Sequence, residues 1–159
     1  MAKPYLPPSD FLKALMDNDA PLVDGDHAEA NLARVIEMTR DRDPANRDWA
    51  TLLLAQQDID TSTVRDALLS AAEDEHEYVR AEAILGLAQR DKALALPLLQ
   101  RELRGEHVAM PLFEAAALVA DPSLADDIRE FANPSDDSFL DELATKALAA
   151  CEAGSRHLG

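Results

Sequence analysis

One segment of the chain occurs twice, about 33 residues apart. Residues 41–56 align with residues 74–89, so that Asp41 falls on Asp74 and Arg47 on Arg80. A period of about 20 to 50 residues is typical of stacked repeats, in which neighbouring units bury a continuous core together. The repeat therefore predicts an array of similar structural units.

Two weaker copies follow, near residues 113–121 and 140–149. In every copy a small residue is followed, four positions later, by an aliphatic one: Ala50 and Leu54, Ala83 and Leu87, Ala115 and Val119, Ala144 and Leu148. Small and large residues at helical spacing allow one helix to approach another closely and fill its grooves. This pattern predicts helix-on-helix packing in each repeat.

Helical periodicity extends over most of the chain, whereas β-branched residues are sparse, so we expect an all-α fold without a sheet. Asp26 and Glu29 have the spacing of a capping box, and Pro97 and Pro111 are expected near helix starts. Beyond Gly154 we expect the chain to fray. The predicted helices are approximately 10–17, 26–40, 46–57, 62–73, 77–90, 93–104, 109–120, 123–132 and 137–152.

The motif Asp74-x5-Arg80-x2-Ala83-x3-Leu87-Ala88 resembles the second half of a HEAT repeat, in its short, PBS-lyase-like form. Residues 95–103, which include a proline, look like the first half. The resemblance covers about 30–151. It implies a right-handed α-α superhelix, a HEAT-like solenoid of about four helical pairs, with an N-terminal cap in residues 1–29 and a frayed tail in residues 152–159.

The resemblance also implies an Asp–Arg ladder between neighbouring repeats. Its members would be Asp41, Arg47, Asp74 and Arg80. An arginine buried against a helix end needs a carboxylate or carbonyl partner, so the ladder is physically reasonable. At the arginine positions of the third and fourth copies stand Leu112 and Asp141. Those copies must therefore pack by other contacts.

The second helices of HEAT-like solenoids line a concave surface, and aromatic residues of this chain fall on or beside that face. We expect a partner to contact Trp49, Tyr78, Glu82, Phe113 and Glu114, because aromatic anchors rimmed by charge suit a protein interface. Alternatively, these rings cover the ends of a small core. Trp49 aligns with Glu82. We therefore expect Trp49 to be at least partly exposed, and Trp49→Ala to cost about 1 kcal/mol or less.

Histidines and carboxylates occupy equivalent turns at Glu75-His76-Glu77 and Glu106-His107. We interpret them as exposed turn residues, and we expect no metal, no cofactor and no catalytic residue. Cys151 is the only cysteine and lies on an alanine-rich helical pattern. It is expected to be a small core residue rather than a nucleophile.

The formal net charge is −16. Such a field repels nucleic acid and anionic membranes and favours a basic protein partner. Together these features favour a non-catalytic, monomeric, cytoplasmic scaffold for protein–protein interaction. Three alternatives remain open: an acidic inhibitor or immunity protein for a basic enzyme, a bilin-lyase-like enzyme or enzyme subunit, and a module of a larger assembly.

Overall fold

The computed structural model describes residues 5–23 and 25–157, with side chains described as far as Gly154. Within those residues the chain is helical and has no strand, so the all-α prediction is confirmed. Short 3-10 turns precede and follow α8, at Pro122–Leu124 and Glu130–Ala132. The α-helices are α1 (Asp10–Met16), α2 (Ala28–Met38), α3 (Pro44–Ala55), α4 (Ser62–Ala71), α5 (Glu77–Arg90), α6 (Lys92–Leu103), α7 (Met110–Val119), α8 (Ala125–Arg129) and α9 (Ser138–His157).

The chain divides into two compact units, Met1–Ala83 and Ile84–Gly159, and the division falls inside α5. In the first unit α3 is central, because α1, α2 and α4 all pack against it. In the second unit α9 packs along α7 and α8, and α6 packs against α7. Each unit therefore has its own core.

The alanines of the repeat pattern lie in the cores of both units. Ala50, Ala83, Ala115 and Ala144 are all completely buried, as the pattern predicts. Their aliphatic partners differ between copies. Leu54 and Leu87 are completely buried, whereas Val119 and Leu148 are only partly buried. In the two weaker copies the small residue is thus still completely buried, whereas the large residue is only partly buried.

The Asp–Arg ladder includes a rung between Arg47 and Asp74 that joins two repeats directly. The Nε and Nη2 atoms of Arg47 donate to the carboxylate of Asp74, at 2.9 and 3.3 Å. The Nη1 atom of Arg47 donates to the carbonyl oxygens of Asp41 and Arg42 at the start of its own repeat. Both side chains of the rung are only 12% exposed. Arg47 therefore ties its own turn to the next one.

Arg80 repeats part of this arrangement. Its Nη1 donates to the carbonyl oxygens of Asp74 and Glu75, as Arg47 does one repeat earlier. The carboxylate of Asp74 faces Arg47 instead, and it also accepts the backbone N–H of His76 at 2.8 Å. The carboxylate of Asp41 caps its own turn, accepting from the backbone of Asp43 and the side-chain amide of Asn46, which lowers the pKa of Asp41.

Where the sequence departs from the ladder, other contacts replace it. Leu112 is 2% exposed and belongs to the apolar core. The carboxylate of Asp141 accepts hydrogen bonds from the backbone N–H and the hydroxyl of Ser135, at 2.8 and 2.7 Å. These bonds lower the pKa of Asp141. A local turn bond thus stands at the position where an arginine would reach another repeat.

Three expectations about helix ends are wrong. The capping box at Asp26 does not form, because α2 begins later and its N-cap is His27, without a side-chain capping bond. Pro97 lies inside α6 rather than near its start. Its ring is exposed, and so is Ala93 one turn earlier. Pro97 has no N–H to donate to the carbonyl of Ala93, and this exposed carbonyl can be hydrated instead.

The expected fraying of the chain beyond Gly154 is also wrong for the residues that directly follow it. Helix α9 instead continues through it to His157. A Cβ atom at this position would lie 2.1 Å from the carbonyl oxygen of Ala120, which follows α7 in the left-handed conformation with φ 52°. The glycine therefore lets α9 approach the end of α7 more closely than any other residue would allow.

Candidate functional site

The first unit contains an open cleft of about 510 Å³. Its walls come from the segment before α1, from α3, from the turn before α5 and from the first half of α5. The lining residues are Tyr5, Asp48, Trp49, Leu52, His76, Tyr78 and Glu82. Three of the five residues predicted to contact a partner, Trp49, Tyr78 and Glu82, are thereby brought together. That they bind a partner stays a prediction.

Trp49 and Tyr5 form one aromatic wall of the cleft. Their rings stack with centroids 5.3 Å apart and planes inclined by 25°. Tyr5 is 60% exposed, whereas Trp49 is partly buried. Tyr5 is not among the residues predicted for this surface, because it precedes α1 in a proline-rich segment without periodicity. Its stacking on Trp49 is a contact between residues far apart in the chain.

The hydroxyl of Tyr5 also donates to the carboxylate of Asp48, at 3.1 Å. Burial and the negative charge of Asp48 raise the pKa of Tyr5 to about 12. Burial likewise raises the pKa of Asp48, although the bond from Tyr5 and the nearby His76 act to lower it. The contacts with Tyr5 and His76 therefore offset only part of the effect of burial on the pKa of Asp48.

Tyr78 and His76 form a second aromatic pair that lines the cleft. Their ring centroids lie 5.7 Å apart with planes inclined by 38°. The backbone N–H of Tyr78 donates to the Nδ1 atom of His76 at 3.3 Å, which fixes the imidazole at the start of α5. Tyr78 is 51% exposed. One ring of this pair is therefore available to a ligand.

The indole of Trp49 carries an unusual donor. Its Nε1 atom is buried and has no hydrogen-bond partner. Leaving a buried N–H unpaired costs about 1–3 kcal/mol, so this group does not add to the stability of the fold. A phenylalanine would provide a stacking ring without that cost.

A second open cavity, of about 410 Å³, lies in the other unit. Its lining residues are Leu85, Gln89, Phe113, Glu114, Ala117, Leu118, Leu143 and Lys146. Glu114 is exposed, as expected. Phe113 is only 1% exposed and contacts Phe131 edge-on, with centroids 5.6 Å apart. Phe113 thus corrects the expectation of an exposed aromatic anchor, because its ring belongs to the core of α7.

The thiol of Cys151 is completely buried, which confirms the prediction of a core residue. Its Sγ lies 3.6 Å from the carbonyl oxygen of Ala116. Burial raises the pKa of the thiol to about 11, so it stays protonated at neutral pH. Among the residues described, no three His, Cys, Asp or Glu side chains come together as a metal-ligand group. The absence of a metal remains a prediction.

The sequence repeat, the Asp–Arg ladder and the all-helical structure of the described residues define a helical-repeat protein. A family model described as HEAT repeats matches residues 32–117, more than half of the chain. The chain therefore belongs to the HEAT repeats family.

Two curated relatives, both called Protein YibA, come from Escherichia coli strains K12 and O157:H7. Each is 31% identical over 96 residues, which make up 60% of this chain and 34% of the relative. The chain thus spans about a third of the length of these relatives. The crystal structure of Escherichia coli YibA matches with a TM-score of 0.62 and 24% identity. That match covers 88% of this chain and 54% of the other, and it concerns the fold.

In the described part of the chain, no helix has the length and apolar character needed to cross a membrane.

Proposed function

We propose that this protein is a non-catalytic scaffold that binds a protein partner, and that the cleft around Trp49 and Tyr78 is the main anchoring site. The observation that carries the proposal is the composition of that cleft. Exposed aromatic rings stand next to Asp48 and Glu82 in an open cavity. Interfaces concentrate binding energy in such aromatic anchors.

The repeat scaffold supports this role because folding fixes the side chains of successive helices before a partner arrives. A preorganised surface loses less conformational entropy on binding. We assign Glu114, exposed beside the second cavity, to the same function. Phe113 would support that cavity from the core rather than touch a partner.

The charge of −16 supports a basic partner, since opposite charges accelerate diffusional encounter. The same charge favours a second candidate function, an acidic inhibitor of a basic enzyme. For an inhibitor we expect an association rate that falls steeply with ionic strength and loss of the partner's activity on binding. For a scaffold we expect the partner to keep its activity. In either case we propose a monomer acting in the cytoplasm.

The test is capture of partners on the immobilised full chain, followed by affinity measurement with the purified partner. Trp49→Ala and Tyr78→Ala should each weaken binding about tenfold or more, since interface aromatics carry much of the affinity. Phe139→Ala is the matched control, because that ring is 58% exposed and lines neither cavity. A partner whose affinity is unchanged by Trp49→Ala and Tyr78→Ala, or is weakened equally by Phe139→Ala, contradicts the proposed site.

A further inference from the structure

The cleft of the first unit combines two features that recognise a cation. Its walls carry the stacked pair Tyr5–Trp49 and the tilted pair His76–Tyr78. The face of an aromatic ring is the negative end of its quadrupole and attracts a cation placed over it. The same cleft is lined by two carboxylates, Asp48 and Glu82.

Among the residues that the structure describes, two carboxylates and one histidine are the ionisable side chains that line this cleft besides the tyrosines. None of the described residues that line it is a lysine or an arginine. Asp48 is partly buried, and the hydrogen bond it receives from Tyr5 comes from a neutral hydroxyl. Burial disfavours the charged form of this carboxylate and so raises the pKa of Asp48. A cation entering the cleft would stabilise that charge.

Arginine fits this combination better than lysine. Its guanidinium is planar, stacks on aromatic faces and pairs with carboxylates, and it is more weakly hydrated than an ammonium group. A volume of about 510 Å³ is in the usual range for pockets that hold a whole small ligand. The cleft therefore has room for an arginine side chain and parts of the residues beside it.

We propose that the cleft formed by Tyr5, Trp49 and Tyr78 binds an arginine side chain of the protein partner. The guanidinium stacks on the aromatic rings that line the cleft and pairs with Asp48 and Glu82. This inference rests on the proposed function and specifies the chemistry that the anchoring site reads. The overall charge of −16 draws such a basic segment toward the chain.

The test uses the only tryptophan of the chain as its reporter. A ¹⁵N-labelled full chain gives a single indole N–H signal, from Trp49, which is followed while acetyl-Gly-Arg-Gly-amide is added at constant ionic strength. The same peptide with citrulline has nearly the same shape without the charge. We expect a saturable shift with arginine and binding about tenfold weaker with citrulline. A lysine peptide should also bind more weakly than arginine.

Matched variants separate the cleft from the general acidity of the surface. Asp48→Asn and Glu82→Gln should each bring arginine binding toward the citrulline level. Asp66→Asn makes the same charge change at an exposed position on α4, and it should leave binding unchanged. Far-ultraviolet circular dichroism checks that each variant is folded.

Several outcomes would overturn the inference: no saturable shift, equal binding of arginine and citrulline, lysine binding as tightly as arginine, or equal losses in Asp66→Asn and Asp48→Asn. If a partner's affinity still depends on Trp49 and Tyr78 while the peptides are not discriminated, the arginine inference alone fails. If the partner's affinity is also indifferent to those two residues, the proposed function fails with it.

Discussion

Replacing Arg47 by alanine removes the rung that joins two repeats in the first unit. The substitution deletes two hydrogen bonds to Asp74, at 2.9 and 3.3 Å, and leaves that carboxylate 12% exposed without its cation. Breaking a fully buried pair costs about 3–5 kcal/mol. Asp74 keeps the hydrogen bond from the backbone of His76, which reduces the cost. We therefore expect a loss of about 2–4 kcal/mol in the free energy of unfolding.

The chain contains a matched control for this prediction. Arg65 contacts Asp60 with similar geometry, at 2.7 and 2.9 Å, but the two side chains are 33% and 40% exposed. Exposed pairs contribute about 0.2–1 kcal/mol. Arg65→Ala should therefore cost much less than Arg47→Ala. The Arg65–Asp60 pair is the more exposed of the two pairs.

The assay is equilibrium unfolding in urea, followed by circular dichroism, for both variants and for Asp74→Ala. In a double-mutant cycle, Arg47 and Asp74 should show a coupling energy of about 1 kcal/mol or more. The thermal midpoint of Arg47→Ala should fall by roughly 5–15 °C for a chain of this size. Equal losses for Arg47→Ala and Arg65→Ala, or additivity in the cycle, would refute the ladder as a stabilising element.

Three further predictions concern other parts of the chain. Gly154→Ala should lower the free energy of unfolding by about 1–3 kcal/mol, although alanine is the better helix former, because its Cβ would meet a carbonyl oxygen at 2.1 Å. In Tyr78→Phe, which leaves Tyr5 as the one tyrosine, phenolate absorbance should develop with a pKa near 12. Because folding raises the pKa of Tyr5 from 10.0, its contribution to the free energy of unfolding is fully present below pH 10 and is lost as the pH rises toward 12. Tyr5→Phe should remove this part of the pH dependence of stability. Trp49→Ala should lower the free energy of unfolding in urea by about 1–3 kcal/mol, more than the sequence predicts, because the indole is partly buried and stacked. Trp49→Phe should lower it less, since phenylalanine keeps a ring and removes the unpaired N–H donor.

The helices were predictable because the repeat pattern is both periodic and local. Helix α5 begins and ends at the predicted residues, and most other helices differ by one or two residues at each end. The buried alanines were predictable for the same reason, since each copy places its small residue at one register position. The segment 123–132 was predicted as one helix, but it consists of α8 with a 3-10 turn on each side.

The features that escaped prediction depend on contacts between distant residues. Tyr5 reaches Asp48 across 43 positions, and nothing in its local sequence indicates that neighbour. In sequence, Gly154 looks like a helix terminator. The reason for the glycine is the carbonyl of Ala120 at the end of α7, a contact that the local sequence does not indicate. Phe113 carries an aromatic ring at a position next to the predicted surface. Its ring is buried and contacts Phe131, a residue of another element that the local pattern does not indicate.

The buried thiol of Cys151 provides a way to measure local opening of the second unit. As the only cysteine of the chain, it lies completely buried on α9 against the Ala116 carbonyl of α7. A thiol reagent can reach it only when these helices separate, because the closed state offers neither access nor a thiolate. The rate of labelling in native buffer, corrected for the rate of an exposed thiol, therefore measures the free energy of that opening. Comparing it with the global free energy of unfolding tells whether α9 detaches before the rest of the chain unfolds.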